Sequence, residues 1–207
     1  MHFNVPDLDS YIDMLGSSDL WLDLMPAPIM DDVFYDACNK FLASKVNKIS
    51  ALRCLAVWLF YSSIKRKCFD NRLKIKLHPL TKGYAYMLDR GEIHILSDLL
   101  FKSTHSWFVS VLLHETAHVV LSQNDSYKQL LQLDVIFAER FFKDQHNEIL
   151  KIVTPVEFYA QYIADVWTLE IVKRTRNEKF GAAMSDEVDK NRIKLLSAIE
   201  TLNDIKN

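Results

Sequence analysis

The chain reads as an α+β protein, mostly helical, with a small sheet of about three antiparallel strands just ahead of its most distinctive helix. Three observations lead there. Apolar residues recur at helical spacing along much of the 207 residues, and only four glycines and five prolines interrupt them. The hydrophobic period switches to two between Leu73 and Leu96. Immediately after that switch, His114-Glu115-Thr116-Ala117-His118 lies inside an apolar helical run.

Residues 1–30 mix apolar and acidic side chains and end in Met25-Pro26-Ala27-Pro28, which reads as a boundary or an extended arm. Val33, Phe34, Ala37, Phe41 and Leu42 then predict a helix from Asp31 to about Ser44, with Asp31 or Asp32 as its cap. A second helix, Ser50 to about Lys65, is apolar almost throughout and ends in Lys65-Arg66-Lys67, where positive charge suits the helix dipole. Leu73-Lys74-Ile75-Lys76-Leu77 alternates as a half-buried strand does, and Pro79 ends it. Tyr84–Leu88 and Glu92–Leu96 flank Asp89-Arg90-Gly91 and read as a β-hairpin. Ser103 or Thr104 can cap the motif helix, and the turn-forming cluster Ser122-Gln123-Asn124-Asp125 ends it. An amphipathic helix follows from Tyr127 to about Asp144. Thr154-Pro155-Val156-Glu157 then announces a helix running to about Arg174, and a charged helix from about Asp186 to Asn203 closes the sequence. This organisation gives a helical region over residues 1–72 packed on a domain of residues 73–207.

The charge balance narrows the partners. A formal net charge of −2 leaves no electrostatic footprint for nucleic acid or an anionic membrane. The three cysteines, Cys38, Cys54 and Cys68, are too far apart for a Cys-x-x-Cys site and read as buried thiols in a reducing compartment. The N-terminus has no secretory pattern, and the longest apolar run, Leu55–Tyr61, is far short of the roughly 20 residues that span a bilayer. The expectation is a soluble, cytoplasmic protein.

The motif carries the chemistry. On a helix, residues four apart stand one above the other, so His114 and His118 can offer two imidazole nitrogens to one ion. Glu115 is turned about 100° away, within reach of a metal-held water but not forced to be a ligand. A five-residue match can be accidental, in which case the chain is a metal-free helical domain. Against that, Leu112, Leu113, Val119, Val120 and Leu121 leave the helix almost no polar face, and charged groups buried there need a partner or a metal. A catalytic zinc takes three protein ligands and an open position, so a third ligand is required. Val119-Val120-Leu121-Ser122-Gln123 excludes the short three-histidine spacing. Glu157 is the first choice for the third ligand, with Asp165 as the rival and Glu139 and Asp134 behind it. Glu157 has a competing role as the reciprocal partner of Thr154 in a capping box. Asp165 has one too, holding the second ring nitrogen of a zinc-bound histidine. His94 and His105 read as hydrogen-bonded surface residues, His146 as solvated, and Tyr159 and Tyr162 as core or rim, one of them a possible oxyanion donor.

His114-Glu115-Thr116-Ala117-His118 with a glutamate on a later helix resembles the gluzincin branch of zinc metallopeptidases. The closer likeness is to the small zincin domains of ArdC-type antirestriction proteins and ImmA/IrrE-type peptidases. It covers about residues 73–174: hairpin Tyr84–Leu96, the motif, then Glu157-Phe158-Tyr159-Ala160-Gln161-Tyr162-Ile163-Ala164. The resemblance implies a zinc ion held by His114, His118 and Glu157, with Glu115 as general base in peptide-bond hydrolysis. Gln161 stands where thermolysin-like members carry an Asp. Substrate backbone is expected to pair with Glu92–Leu96 if that strand is the exposed edge beside the cleft. The alternative that the likeness allows is a non-catalytic zincin fold that binds a protein partner.

Overall fold

The computed structural model describes residues 4–17, 32, 74–88, 91–142 and 148–206. The two helices expected within residues 31–65, the three cysteines and His146 lie outside the described residues.

The first element is a helix that the composition of residues 1–30 conceals. α1 (Leu8–Leu15) starts at Asp7, whose carboxylate accepts from the Ser10 backbone N–H at 2.8 Å. Its Tyr11, Ile12 and Leu15 sit at one-turn spacing and are buried. The Tyr11 hydroxyl donates to the Val153 carbonyl at 2.8 Å, tying α1 to the segment that precedes the later helices.

The sheet is three-stranded but mixed. β1 (Lys74–His78), β2 (Ala85–Leu88) and β3 (Glu92–Leu96) lie in the order β1-β3-β2. β2 and β3 form the expected antiparallel hairpin, whereas β1 runs parallel to β3, with Lys74 opposite Glu92 and His78 opposite Leu96. The purely antiparallel expectation is therefore corrected. Alternation of residue type marks a strand but not its neighbour, and β3 takes the centre because both of its faces are covered: Ile93 and Ile95 on one, His94 and Leu96 on the other. β1, with Lys74 and Lys76 exposed, suits an outer position. Gly83 holds the turn into β2. Its φ of 125° is open to glycine, and a Cβ there would stand 2.6 Å from Leu96 Cδ1. Its N–H donates to the Asp98 carboxylate at 2.8 Å, and the Asp98 N–H returns a bond of 2.9 Å to the Gly83 carbonyl.

After β3 the chain is helical. α2 (Ser97–Phe101) is a short turn, and α3 (His105–Ser122) follows, capped by the Thr104 hydroxyl on the Trp107 N–H at 3.2 Å. α4 (Tyr127–Phe141) and a 3₁₀ segment (Glu148–Val153) lead to α5 (Pro155–Arg174). α6 (Glu178–Lys206) begins two turns before the expected start. Its first turn is held by Asn177, which accepts from the Phe180 N–H at 3.1 Å, and buried Phe180 and Met184 extend its apolar stripe upstream.

α3 and α5 form the centre and are apolar on nearly all sides. Phe108, Leu112, Leu113, Ala117, Val119 and Leu121 are buried on α3, and Phe158, Ala160, Ile163, Ala164, Trp167 and Ile171 on α5. β2, α4 and α6 pack around the pair. Among the described residues no helix is long and apolar enough to cross a membrane.

Trp167 is fully buried on α5, so its removal tests whether this pair is the core. Trp167→Ala is expected to cost about 3–5 kcal/mol in urea unfolding at unchanged m-value. A loss under about 1 kcal/mol would place the core elsewhere.

Candidate metal centre

The motif helix presents its polar groups at one place on an otherwise apolar surface. His114 and His118, one turn apart on α3, aim their Nε2 atoms at a common point, 3.1 Å from each other, with the rings crossed at 82°. Glu157, in the first turn of α5, completes the group. One carboxylate oxygen lies 3.2 Å from His114 Nε2 and the other 3.3 Å from His118 Nε2. All three ligand atoms fall within 4.8 Å of one another, so the described structure contains a His-His-Glu group able to hold a metal ion.

The edge lengths test the fit. Zinc bonds to His and carboxylate are about 2.0–2.2 Å, and a regular tetrahedron of that radius has edges of about 3.3–3.6 Å. The 3.1 Å between the two Nε2 atoms is close to one such edge, and Glu157 spans the pair with one carboxylate oxygen 3.2 Å from His114 Nε2 and the other 3.3 Å from His118 Nε2, so the donors stand at ligand spacing. One donor per residue then leaves a fourth corner to be filled. That corner belongs to a cleft of about 430 Å³ lined by Ala85, Tyr86, Met87, His114, Glu115, His118, Val156 and Glu157.

The capping alternative for Glu157 is not realised. Thr154 makes no side-chain cap bond on α5; the Val156 N–H instead donates to Asp134 on α4 at 3.0 Å. A carboxylate from a neighbouring helix satisfies the helix start, and Glu157 is left to face the histidines. Asp134 is thereby accounted for as a cap. Glu139 lies exposed on α4, away from the ligand group.

Electrostatics separate the two carboxylates. Burial raises Glu115, which is only 8% exposed, and this outweighs the lowering influence of both imidazoles. Burial acts on Glu157 too, but hydrogen bonds and charge from His114 and His118 overcome it and hold that carboxyl far below the usual carboxylate range. For His114, burial pulls downward, and the bond and charge from Glu157 carry the balance upward.

The rival ligand Asp165 is not in the group. It is buried on α5, where its Oδ1 accepts from Gln161 Nε2 at 2.7 Å and from Asn191 Nδ2 of α6 at 3.3 Å. Burial pushes it up to about 6 despite those two bonds. Tyr159 and Tyr162 are buried in the core and do not line the cleft; burial raises Tyr159 to about 12. His105 is exposed at the start of α3. His94 is hydrogen-bonded as expected but buried, not at the surface. Its Nε2 is 2.8 Å from Glu92 and its Nδ1 2.7 Å from His78 Nε2, with the Tyr86 ring stacked on it. β3 is also not the edge beside the cleft, because central placement between β1 and β2 occupies both of its hydrogen-bonding sides. β2 holds that position, with Ala85, Tyr86 and Met87 in the cleft wall. The sequence reading missed β2's role and the Asp134 cap; the short, lysine-free Ala85-Tyr86-Met87 segment was the available signal for the first, and nothing local signalled the second. No family model, curated protein or solved structure matches the chain.

Metal-free, the cluster makes stability depend on pH with a definite sign. Glu157 is lowered by folding, so its contribution is present above about 4.3, the ordinary glutamate value, and is lost as pH falls through the folded value. His114 is raised, so its contribution is complete below about 6.5 and is lost as pH rises through the folded value. With chelator present, the urea midpoint should be highest between about pH 4.3 and 6.5 relative to Glu157→Gln, and that advantage should shrink as pH rises through the raised His114 value. Parallel profiles for the two proteins would show that this ion-paired cluster does not form.

Proposed function

We propose that the protein is a zinc-dependent peptidase of the zincin type. The observation that supports this reading best is the convergence of His114 Nε2, His118 Nε2 and the Glu157 carboxylate, with contacts of 3.1, 3.2 and 3.3 Å, and Glu115 in the wall of the same cleft. Two neutral imidazoles and one carboxylate are the donor set of hydrolytic zinc sites, and one open position is what such sites keep for chemistry. When bound there, zinc supplies Lewis acidity, lowering the pKa of a water it holds and polarising a carbonyl.

The chain's own residues do the rest. Glu157, kept ionised by the two histidines, offsets part of the cation's charge and fixes its position at the start of α5. Glu115 is next to His114 on α3 and is buried at the cleft, so its carboxylate accepts a proton from the attacking water and returns it to the leaving amine. Burial favours that exchange by raising the Glu115 pKa towards the working pH. β2 supplies the binding surface. Among the described residues it pairs only with β3, and its Ala85, Tyr86 and Met87 line the cleft, so its outer side can take an extended peptide as an added antiparallel or parallel strand. Recognition of backbone then dominates over recognition of side chains.

The purified protein should bind one zinc per chain by metal analysis, and His114→Ala, His118→Ala and Glu157→Ala should each lose it. Asp165→Ala should keep it. Cleavage of denatured casein, followed by mass spectrometry of the released peptides, should stop with chelator. Glu115→Gln should keep the zinc and lose about 10²–10⁴-fold in rate. Full activity in Glu115→Gln would exclude this mechanism, and zinc binding with no hydrolysis of any peptide library would favour a binding role for the fold instead.

A further inference from the structure

A second cleft opens where β2 and α3 begin. It encloses about 490 Å³ and is walled by Tyr84 and Trp107, whose rings meet edge to face at 6.1 Å, and by Asp98, Lys102, Glu187 and Lys190. Two elements join it to the proposed zinc cleft. From Ser106 to Val119 every residue of α3 is buried except Trp107, Val111 and His114, which stand at i, i+4 and i+7 on one face. This half-open stripe runs from the second cleft to the ligand group. Alongside it, Tyr84 lines the second cleft, and Ala85, Tyr86 and Met87 line the first. Two helical turns separate Trp107 from His114, about 10.5 Å, which is about three residues of extended chain.

The charges of this cleft are arranged unequally. Both Asp98 oxygens are engaged: Oδ2 accepts from the Gly83 N–H at 2.8 Å, and Oδ1 is paired with Lys102 at 2.6 Å. Glu187 is buried, and its Oε1 accepts from the Ser106 hydroxyl at 3.3 Å and from Lys190 at 3.2 Å. The carboxylates are thus committed within the wall. Lys102, Lys190 and Lys194 are exposed at the rim, the last lying 5.4 Å over the Trp107 ring. An ammonium carries three donors, and a single carboxylate contact leaves two of them available. Three ammoniums against two carboxylates give a local excess of positive charge in a chain of net charge −2. We propose that this cleft is a remote subsite of the peptide groove and takes an acidic side chain of the substrate, about three residues from the bond at the metal. A glutamate suits both parts of it, with methylenes for the two rings and a carboxylate for the rim ammoniums.

This inference rests on the peptidase reading, and two measurements keep them apart. In the first, fluorescein-labelled Thr-Val nonapeptides with one central Glu, Gln or Lys are titrated by anisotropy into the full Glu115→Gln chain in zinc-containing buffer. The Glu peptide is expected to bind about three- to tenfold more tightly than the Gln peptide, and the Lys peptide more weakly still. Lys102→Gln with Lys194→Gln, added to that chain, should remove the difference, whereas Lys102→Arg with Lys194→Arg should keep it. Overall charge cannot imitate this result, since a net −2 favours the Lys peptide. In the second, the wild type is given a peptide library and the cut sites are read by mass spectrometry. Acidic residues should be enriched about three residues from the cut, on one side of it. Equal binding of the Glu and Gln peptides overturns the subsite, as does cleavage without that enrichment. Discrimination in binding with no cleavage by the wild type overturns the peptidase reading and leaves the cleft as a site for acidic peptides.

Discussion

Taking imidazoles and carboxylates out of water at the centre of a helix pair is the constraint on which the rest of this structure depends. α3 is covered along nearly its whole length, yet it carries His114, Glu115 and His118 on consecutive turns of that surface. An isolated charge buried there would cost several kcal/mol. The fold meets the cost by bringing polar groups to polar groups. Glu157 bridges both histidines, and the cleft admits solvent to the same spot. On α5, Glu157, Gln161 and Asp165 follow one another at one-turn spacing, Glu157 meeting the motif histidines and Asp165 meeting Asn191 of α6. Packing and site are thus one arrangement: the helices cannot shift along each other without separating the charges they have buried.

The neighbours of that pair serve it indirectly. Asp134 of α4 accepts from the Val156 N–H, a bond that an N-cap side chain commonly makes, and the Thr154 N–H that a capping-box Glu157 would serve donates instead to the Lys151 carbonyl at 3.2 Å. A capping carboxylate points back along its own helix, whereas a ligand must point across to another, and Glu157 cannot do both. On the other wall, Gly83 and Asp98 pin the start of β2 to the end of β3, so that Ala85–Met87 border the cleft at a fixed height.

Much of this was legible from local pattern. Two histidines at i and i+4, the Thr-Pro-x-Glu helix start and the turn after Ser122 are one-segment features, and α3 and α5 lie close to their expected bounds. The choice of Glu157 over Asp165 was also within reach, since the first turn of a helix is where a side chain can still lean outward. What escaped was decided by other segments. Strand order depends on which faces are covered, and His94 disguised β3 as half-polar although it is buried against His78 and Tyr86. The Asp134 cap crosses between helices. α1 is a different kind of miss: Asp7, Leu8, Tyr11, Ile12 and Leu15 have full helical spacing, but acidic residues and prolines around them hid it.

The two glutamates show why position matters more than residue type in such a site. Glu115 and Glu157 share one cleft, the same pair of imidazoles and substantial burial, yet folding moves them in opposite directions. The difference is contact. Glu157 accepts from both Nε2 atoms, which holds its carboxyl well below the usual carboxylate range. Glu115 feels the imidazoles only at a distance, so desolvation prevails and draws its proton affinity upward. Contact and burial thus pull two carboxyls of one cleft in opposite directions. Glu115, one residue on from His114, is rotated away from the point at which the two Nε2 atoms converge, so only Glu157 meets both of them.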